Sequence, residues 1–111
     1  INLIFSNSHR LAKLNKKYKD KYRDTDVLTF KSIITNKELG KIKYCDIFFS
    51  IDTIEKFVKK NEVNLYDHYN HLLIHSLLHI NGYNHKTDKQ FKKMKKEEIK
   101  NLQKFGIKNP Y

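Results

Sequence analysis

Three histidines in the second half of the chain have the spacing of a metal site. In the stretch HSLLHINGYNH, His75, His79 and His85 lie at positions i, i+4 and i+10, and Gly82 stands between the last two. Residues four apart on a helix project from one face, and a turn at Gly82 would let the third imidazole return to the same ion. Three imidazoles with one position left for water are typical of a catalytic Zn²⁺ site rather than a closed structural one. Hydrogen-bonded histidines without a metal are the alternative.

The residue after the first histidine argues against peptide hydrolysis. The spacing is that of metzincin proteases, in which a Glu at this position is the general base, whereas this chain has Ser76. A serine does not take up a proton near neutral pH, so that mechanism lacks its base. A metal would still lower the pKa of a water toward about 7 and polarise a phosphoryl oxygen. We therefore expect another substrate class, with a metzincin-like peptidase as an alternative.

The charge of the chain favours a polyanionic partner. The 111 residues contain 23 Lys and Arg against 12 Asp and Glu, a formal net charge of +11. Nucleic acid is the usual partner of such a chain, although a lysine-rich composition that only solvates the surface accounts for the charge equally well. In the segment 10–23, aromatic residues alternate with cations, which suits phosphate contacts and base stacking on single strands. Lys19, Tyr22 and Arg23 are the candidates for binding single-stranded nucleic acid.

Length, cysteine content and hydropathy favour one cytoplasmic domain. A chain of 111 residues suits a single domain spanning 1–111. The lone Cys45 cannot form an internal disulfide. No apolar run approaches the roughly 20 residues of a membrane span, and no signal peptide is visible. Because Ile1 lies directly in an apolar stretch, we expect the natural chain to begin earlier.

The predicted elements that must position the histidines are strands early and helices late. The expected strands are 1–5, 26–30 and 42–51, with 31–40 as a loop or hairpin turn. The expected helices are one ending near Tyr18, one capped by Asp52 and Glu55, one from about Tyr66 to Asn81 closed by Gly82, and one that begins with a Thr87 and Gln90 capping box and ends at Gly106. This order predicts an α+β fold, a small sheet with helices packed against it.

Three blocks of the sequence resemble one known family. HSLLHINGYNH resembles the signature H-G-x-L-H-L-x-G-Y-D-H of the YbeY family, metal-dependent endoribonucleases of ribosomal RNA maturation. LNKKYKDKYRDTDVLTF resembles the family block L-N-x-x-Y-R-x-K-D-x-x-T-D-V-L-S-F, and CDIFFS resembles its strand G-D-I-x-I-S. The blocks occur in the family's order, and the resemblance extends over nearly the whole chain.

The resemblance implies a fold, a metal and a substrate. The implied fold is a small mixed β-sheet flanked by helices, with a zincin-like metal site on a long helix and the following turn. The family's first strand and helix would lie before Ile1. One Zn²⁺ would be held by His75, His79 and His85 plus a water. The implied activity is cleavage of single-stranded RNA in 16S-type ribosomal RNA processing and ribosome quality control, with the small ribosomal subunit as partner. A ribosome-associated RNA-binding assembly factor with a structural metal is the alternative.

The chain departs from the family pattern at several positions. Ser76 replaces a Gly, Asn84 an Asp, Cys45 a Gly and Lys31 a Pro. Lys19 stands where the family has an Arg that is thought to serve catalysis. Lysine keeps the positive charge but lacks the planar fork that binds phosphate through two parallel hydrogen bonds. The catalytic residues implied by the resemblance are Lys19 and the metal-binding residue His75.

Overall fold

The α+β class is confirmed, and the elements fall into two compact units. The computed structural model describes residues 1–19 and 25–111, without the side chains of residues 18, 19, 42 and 43. The units are residues 1–61 and 62–111, each described by itself below, and the single domain over 1–111 stays a prediction. The elements are β1 (Asn2–Ser6), α1 (Ser8–Lys19), β2 (Val27–Asn36), β3 (Gly40–Ser50), α2 (Ile51–Asn61), α3 (Leu65–Ile80) and α4 (Asp88–Lys104).

The first unit is built on a mixed sheet in the order β1-β3-β2. The central strand β3 pairs in parallel with β1 and antiparallel with β2, as the predicted mixed sheet requires. Successive side chains of a strand point to opposite faces, so Cys45, Ile47 and Phe49 are buried while Asp46 and Phe48 are half-buried. The buried face of β3 thus forms part of the core of this unit.

The second strand is longer than its sequence predicted. The strand expected at 26–30 continues to Asn36, because the β-branched Ile33 and Ile34 pair across the sheet with β3. The turn is correspondingly short. The side chain of Asn36 accepts hydrogen bonds from two backbone N–H groups of the turn (2.8 and 3.0 Å), and Gly40 takes the positive φ of 75° that reverses the chain. The prediction of a loop or hairpin turn over 31–40 is therefore wrong for 31–36, which are strand, and confirmed as a hairpin turn at 37–39.

Asp52 connects the starts of two helices. It was predicted to cap α2 together with Glu55, but α2 begins at Ile51, which places Asp52 inside the first turn. Its carboxylate accepts hydrogen bonds from the backbone N–H of Ser8 (2.8 Å), the Ser8 hydroxyl (2.5 Å) and the Ser50 hydroxyl (2.9 Å). These bonds, the one from the Ser8 hydroxyl foremost, lower the pKa of Asp52 from 3.8 to about 2. A single carboxylate thus stabilises the N-terminus of α1 as well as that of α2.

In the second unit, the predicted helix boundaries are confirmed. The side chain of Asn64 caps α3 by accepting a hydrogen bond from the backbone N–H of Asp67 (3.0 Å). Beyond its C-terminus, Gly82 has a φ of 96°. Thr87 and Gln90 form the predicted capping box at the start of α4. These caps fix where α3 ends and α4 starts, and the histidine cluster lies there.

A small hydrophobic core holds α3 and α4 together. It consists of Ile74, Leu102 and Ile107, with Leu78 packed against it.

Within the described ranges 1–19 and 25–111, no helix has both the length and the hydrophobicity that crossing a bilayer requires.

Replacing Asp52 by Asn should destabilise the chain in a pH-dependent way. We expect a loss of about 1–2 kcal/mol in the free energy of unfolding near neutral pH, since hydrogen bonds to a charged group are removed. Because the pKa of Asp52 is lower in the folded than in the unfolded chain, this contribution is present above about pH 4 and disappears toward pH 2. Urea unfolding of both chains across this range measures it.

Glu55→Gln is the matched control, since Glu55 is an exposed carboxylate of the same helix. It should leave the stability unchanged. A difference between Asp52→Asn and the original chain that stays constant from pH 7 to pH 2 would show that the Asp52 charge contributes nothing.

Candidate metal centre

The structure brings the three predicted histidines together. His75 and His79 lie one turn apart on α3 with ring centroids 4.6 Å apart, and their Nε2 atoms are separated by 3.0 Å. The turn at Gly82 returns His85 to within 5.6 Å of the His75 ring and 5.0 Å of the His79 ring. One nitrogen from each of the three lies within 4.8 Å of the others. Since Zn–N bonds of about 2.0–2.1 Å separate tetrahedral ligand nitrogens by about 3.3 Å, this spacing suits a single ion.

A backbone carbonyl fixes the protonation of His79. Its Nδ1 lies 3.0 Å from the carbonyl oxygen of Tyr83, which follows the Gly82 turn. A carbonyl oxygen can only accept, so Nδ1 carries the proton and Nε2 of the neutral ring presents a lone pair. The turn that returns His85 to the cluster thus also orients His79.

A buried carboxylate fixes the protonation of His75. Nδ1 of His75 contacts Oε1 of Glu98, which is 0% exposed on α4. Oε2 of Glu98 is 3.1 Å from Nε2 of His71 and also accepts from the Tyr111 hydroxyl. Burial raises the pKa of Glu98, but the hydrogen bonds from His71, His75 and Tyr111 outweigh it and lower the pKa to about 2. An ionised carboxylate can only accept, so His75 carries its proton on Nδ1.

These two assignments leave two lone pairs facing each other. With Nδ1 protonated in both rings, Nε2 of His75 and Nε2 of His79 point their lone pairs across 3.0 Å. Such a contact is repulsive unless a proton on Nε2 of His75 or a metal ion lies between the nitrogens. Burial lowers the pKa of His79, and the neighbouring His75 and His85 lower it further, so a proton is disfavoured there. The donor set therefore fits a metal ion.

Burial differs among the cluster residues. His75 and His79 are half-buried, whereas His85 is exposed, so the cluster is open to solvent on the His85 side. Ser76 is 1% exposed, and its hydroxyl has no hydrogen-bond partner among the described residues. The serine that stands in the position of the protease glutamate is therefore out of reach of a substrate.

Sequence reasoning missed the carboxylate of the site. Glu98 lies in a lysine-rich stretch, and from the sequence alone it is indistinguishable from an exposed acidic residue among lysines. The signal was its position, four residues after Met94 and four before Leu102, both buried on the inner face of α4. An acidic residue on an apolar helix face needs buried donors. The other residues bound to this carboxylate, His71 and Tyr111, were not predicted either.

Of the predicted catalytic and RNA-binding residues, His75 alone has a side chain that the structure describes. Lys19 is the last residue of α1, but its side chain is not described. Tyr22 and Arg23 are outside the described residues altogether. The roles assigned to these three residues stay predictions.

Fold and site together define an α+β protein with a histidine cluster for a metal on a long helix and the following turn. Residues 1–106 match the family model described as Endoribonuclease YbeY. The chain belongs to the endoribonuclease YbeY family, as the resemblance of its three sequence blocks predicted.

Relatives and one solved structure agree with this assignment. The protein named Endoribonuclease YbeY of Ehrlichia chaffeensis is 40% identical, over 100% of this chain and 70% of that protein. Its namesake from Bartonella bacilliformis is 33% identical, over 100% of this chain and 71% of that protein. The solution structure of TM1509 from Thermotoga maritima is similar with a TM-score of 0.54 and 23% identity, over 94% of this chain and 69% of that one. This last match shows the fold alone.

Replacing Ser76 by Ala should stabilise the chain. The change removes a buried hydroxyl without a partner in the described part of the structure and introduces a better helix former, so we expect the free energy of unfolding to rise by about 1 kcal/mol. Urea unfolding of the metal-free chain measures the change. A drop of similar size would show instead that the hydroxyl makes a stabilising hydrogen bond.

Proposed function

We propose that this chain is a zinc-dependent endoribonuclease that cuts single-stranded RNA during ribosomal RNA maturation. The observation that carries the proposal is the convergence of His75, His79 and His85, with one nitrogen of each within 4.8 Å of the others. Membership of the endoribonuclease YbeY family supports the reaction class, and the formal net charge of +11 suits a polyanionic substrate.

The proposed cofactor is one Zn²⁺ held by His75, His79 and His85, with a fourth position for water. Three neutral imidazoles leave such a position open, as in catalytic zinc sites. The exposure of His85 favours an open site over the closed structural metal of an assembly factor. When bound, the ion would supply a Lewis acid that lowers the pKa of a water toward about 7 and makes it a nucleophile for phosphorus.

The side chains of this chain would bind the ion, stabilise the charge on the phosphate and hold the RNA. His75 and His79 keep their protons on Nδ1 and so offer Nε2 to the ion. The Lys19 ammonium would stabilise the negative charge that develops on the phosphate during attack. Tyr22 and Arg23 would hold the RNA by base stacking and phosphate contact. Because Ser76 is buried, a peptidase mechanism with a base at that position has no support.

The proposed substrate is single-stranded RNA of the ribosome. The 16S-type ribosomal RNA is the proposed target, and the small ribosomal subunit in the cytoplasm is the proposed partner. Family membership supports the RNA substrate. Strong basic charge supports binding to an RNA-rich particle, with an affinity that falls steeply with salt.

Removing the metal or one ligand should abolish RNA cleavage. We expect a loss of at least about 100-fold in the cleavage rate of a fluorescent single-stranded RNA after chelation, and the same loss in His79→Ala, because both remove the Lewis acid. Zinc should restore the chelated chain but not the variant.

The control for the ligand variant is His9→Ala, which removes an exposed histidine from α1 and should retain full activity. Cleavage at the full rate after both chelation and His79→Ala would contradict a metal-dependent mechanism. Tight, salt-dependent RNA binding without turnover at any zinc loading would support the assembly-factor alternative instead.

Lys19→Met should lower the cleavage rate by about 10- to 100-fold without changing zinc affinity, because it removes the charge proposed to stabilise the phosphate and leaves the ligands intact. Lys19→Arg should retain activity, since the guanidinium keeps the charge and adds a phosphate fork. Lys13→Met, an exposed position on the same helix, is the control. Equal rates for the Lys13 and Lys19 variants would remove Lys19 from the mechanism.

A further inference from the structure

The two carboxylate oxygens of Glu98 contact different groups. Oε1 contacts Nδ1 of His75, while Oε2 accepts from Nε2 of His71 and from the hydroxyl of Tyr111. The residue is 0% exposed, so these three donors take the place of water around its charge. All three partners lie in the same compact unit as Glu98.

The two contacts on Oε2 determine what Oε1 can do. With Oε2 held by His71 and Tyr111, the carboxyl group cannot rotate away from His75 without losing both bonds. Tyr111 is 50% exposed, but its ring has neighbours, with its centroid 5.6 Å from the His71 ring, 6.4 Å from the Phe91 ring and 4.7 Å from Nζ of Lys95. Oε1 is therefore presented to His75 in a fixed direction.

A carboxylate at this place imposes one tautomer on the imidazole. Since Oε1 can only accept, the proton of a neutral His75 must be on Nδ1, which leaves the lone pair on Nε2, 3.0 Å from Nε2 of His79. An amide in the same place imposes nothing, because it can turn either its oxygen or its NH₂ group toward Nδ1. With the NH₂ group facing the ring, the proton would move to Nε2 and block the ligand atom.

We propose that Glu98, held by Tyr111 and His71, is a positioning residue that keeps His75 in the tautomer able to bind the metal. The proposal rests on the proposed function, in that it takes the histidine cluster as the metal site. The negative charge of Glu98 also offsets part of the charge of a divalent ion bound by three neutral ligands. Glu98 does not bind the ion itself but acts through His75.

Zinc affinity of matched variants tests this assignment without any RNA. We expect Glu98→Gln to bind zinc about 10- to 100-fold more weakly than the original chain in a competition with a chromogenic chelator. Glu97→Gln makes the same charge change one residue earlier on α4 and should bind as the original chain does. Tyr111→Phe should weaken binding by about 3-fold, because it removes one of the two hydrogen bonds that hold Oε2 but keeps the carboxylate. Its control is Tyr66→Phe at an exposed tyrosine.

The tautomer of His75 gives a readout that a purely structural role would not change. In ¹⁵N-histidine spectra of the metal-free chain, His75 should carry its proton on Nδ1 in the original chain and in Glu97→Gln. In Glu98→Gln we expect a substantial Nε2-protonated fraction. Should Glu98→Gln fail to fold, the pair Tyr111→Phe and Tyr66→Phe decides by zinc affinity alone.

The outcomes separate this inference from the proposed function. Equal zinc affinity and an unchanged His75 tautomer in the Glu98 and Glu97 variants would overturn the positioning role and leave the metal site standing. If Glu98→Gln does not fold, equal zinc affinities of the two tyrosine variants would overturn the positioning role. An original chain that binds no zinc would remove the metal site on which both proposals depend.

Discussion

The hydrogen bonds to the buried carboxylate of Glu98 are the constraint on which the candidate site depends. A charged group that loses its water must be compensated by donors, and here His71, His75 and Tyr111 provide them. Two of these donors belong to α3, so the same bonds that make the burial of Glu98 tolerable also attach α4 to α3. Stability of this unit and orientation of a metal ligand thus come from one interaction.

The histidine repeat along α3 gives each of three imidazoles an acceptor oxygen of its own. His71, His75 and His79 are four residues apart and therefore lie along one helix face. His71 and His75 contact the Glu98 carboxylate, and His79 contacts the carbonyl of Tyr83. Each Nδ1 of the two helical ligands thus has its own acceptor, one a carboxylate and one a backbone oxygen. This arrangement leaves both Nε2 atoms, 3.0 Å apart, available to a metal ion together with a nitrogen of His85.

Local signals predicted those parts of the fold that local interactions determine. The capping box of Thr87 and Gln90 and the positive φ of Gly82 depend on a few neighbouring residues, and both were predicted correctly. The length of β2 was not, because Ile33 and Ile34 become strand residues only by pairing with β3. Asp52 was assigned to its own helix, whereas its carboxylate also binds Ser8, which is 44 residues away in sequence.

In the site, too, the features set by local interactions were predicted and those set by helix packing were not. The spacing of His75, His79 and His85 was enough to predict that they converge, because a helix and one glycine turn bring them together. Glu98 was not predicted, because its role depends on the packing of α4 on α3. Its lysine-rich neighbourhood in the sequence is typical of a surface charge. The functions of Lys19, Tyr22 and Arg23 depend on contacts with RNA and stay predictions.

X-ray absorption at the zinc edge of the zinc-loaded chain would identify and count the ligands of the ion. We expect one zinc per chain with three imidazole nitrogens and one oxygen at about 2.0–2.1 Å. A sulfur at about 2.3 Å, which only the lone Cys45 or the single methionine could supply, or a fourth imidazole would show a closed site and contradict a catalytic role. Less than one zinc per chain at saturation would contradict the metal site itself.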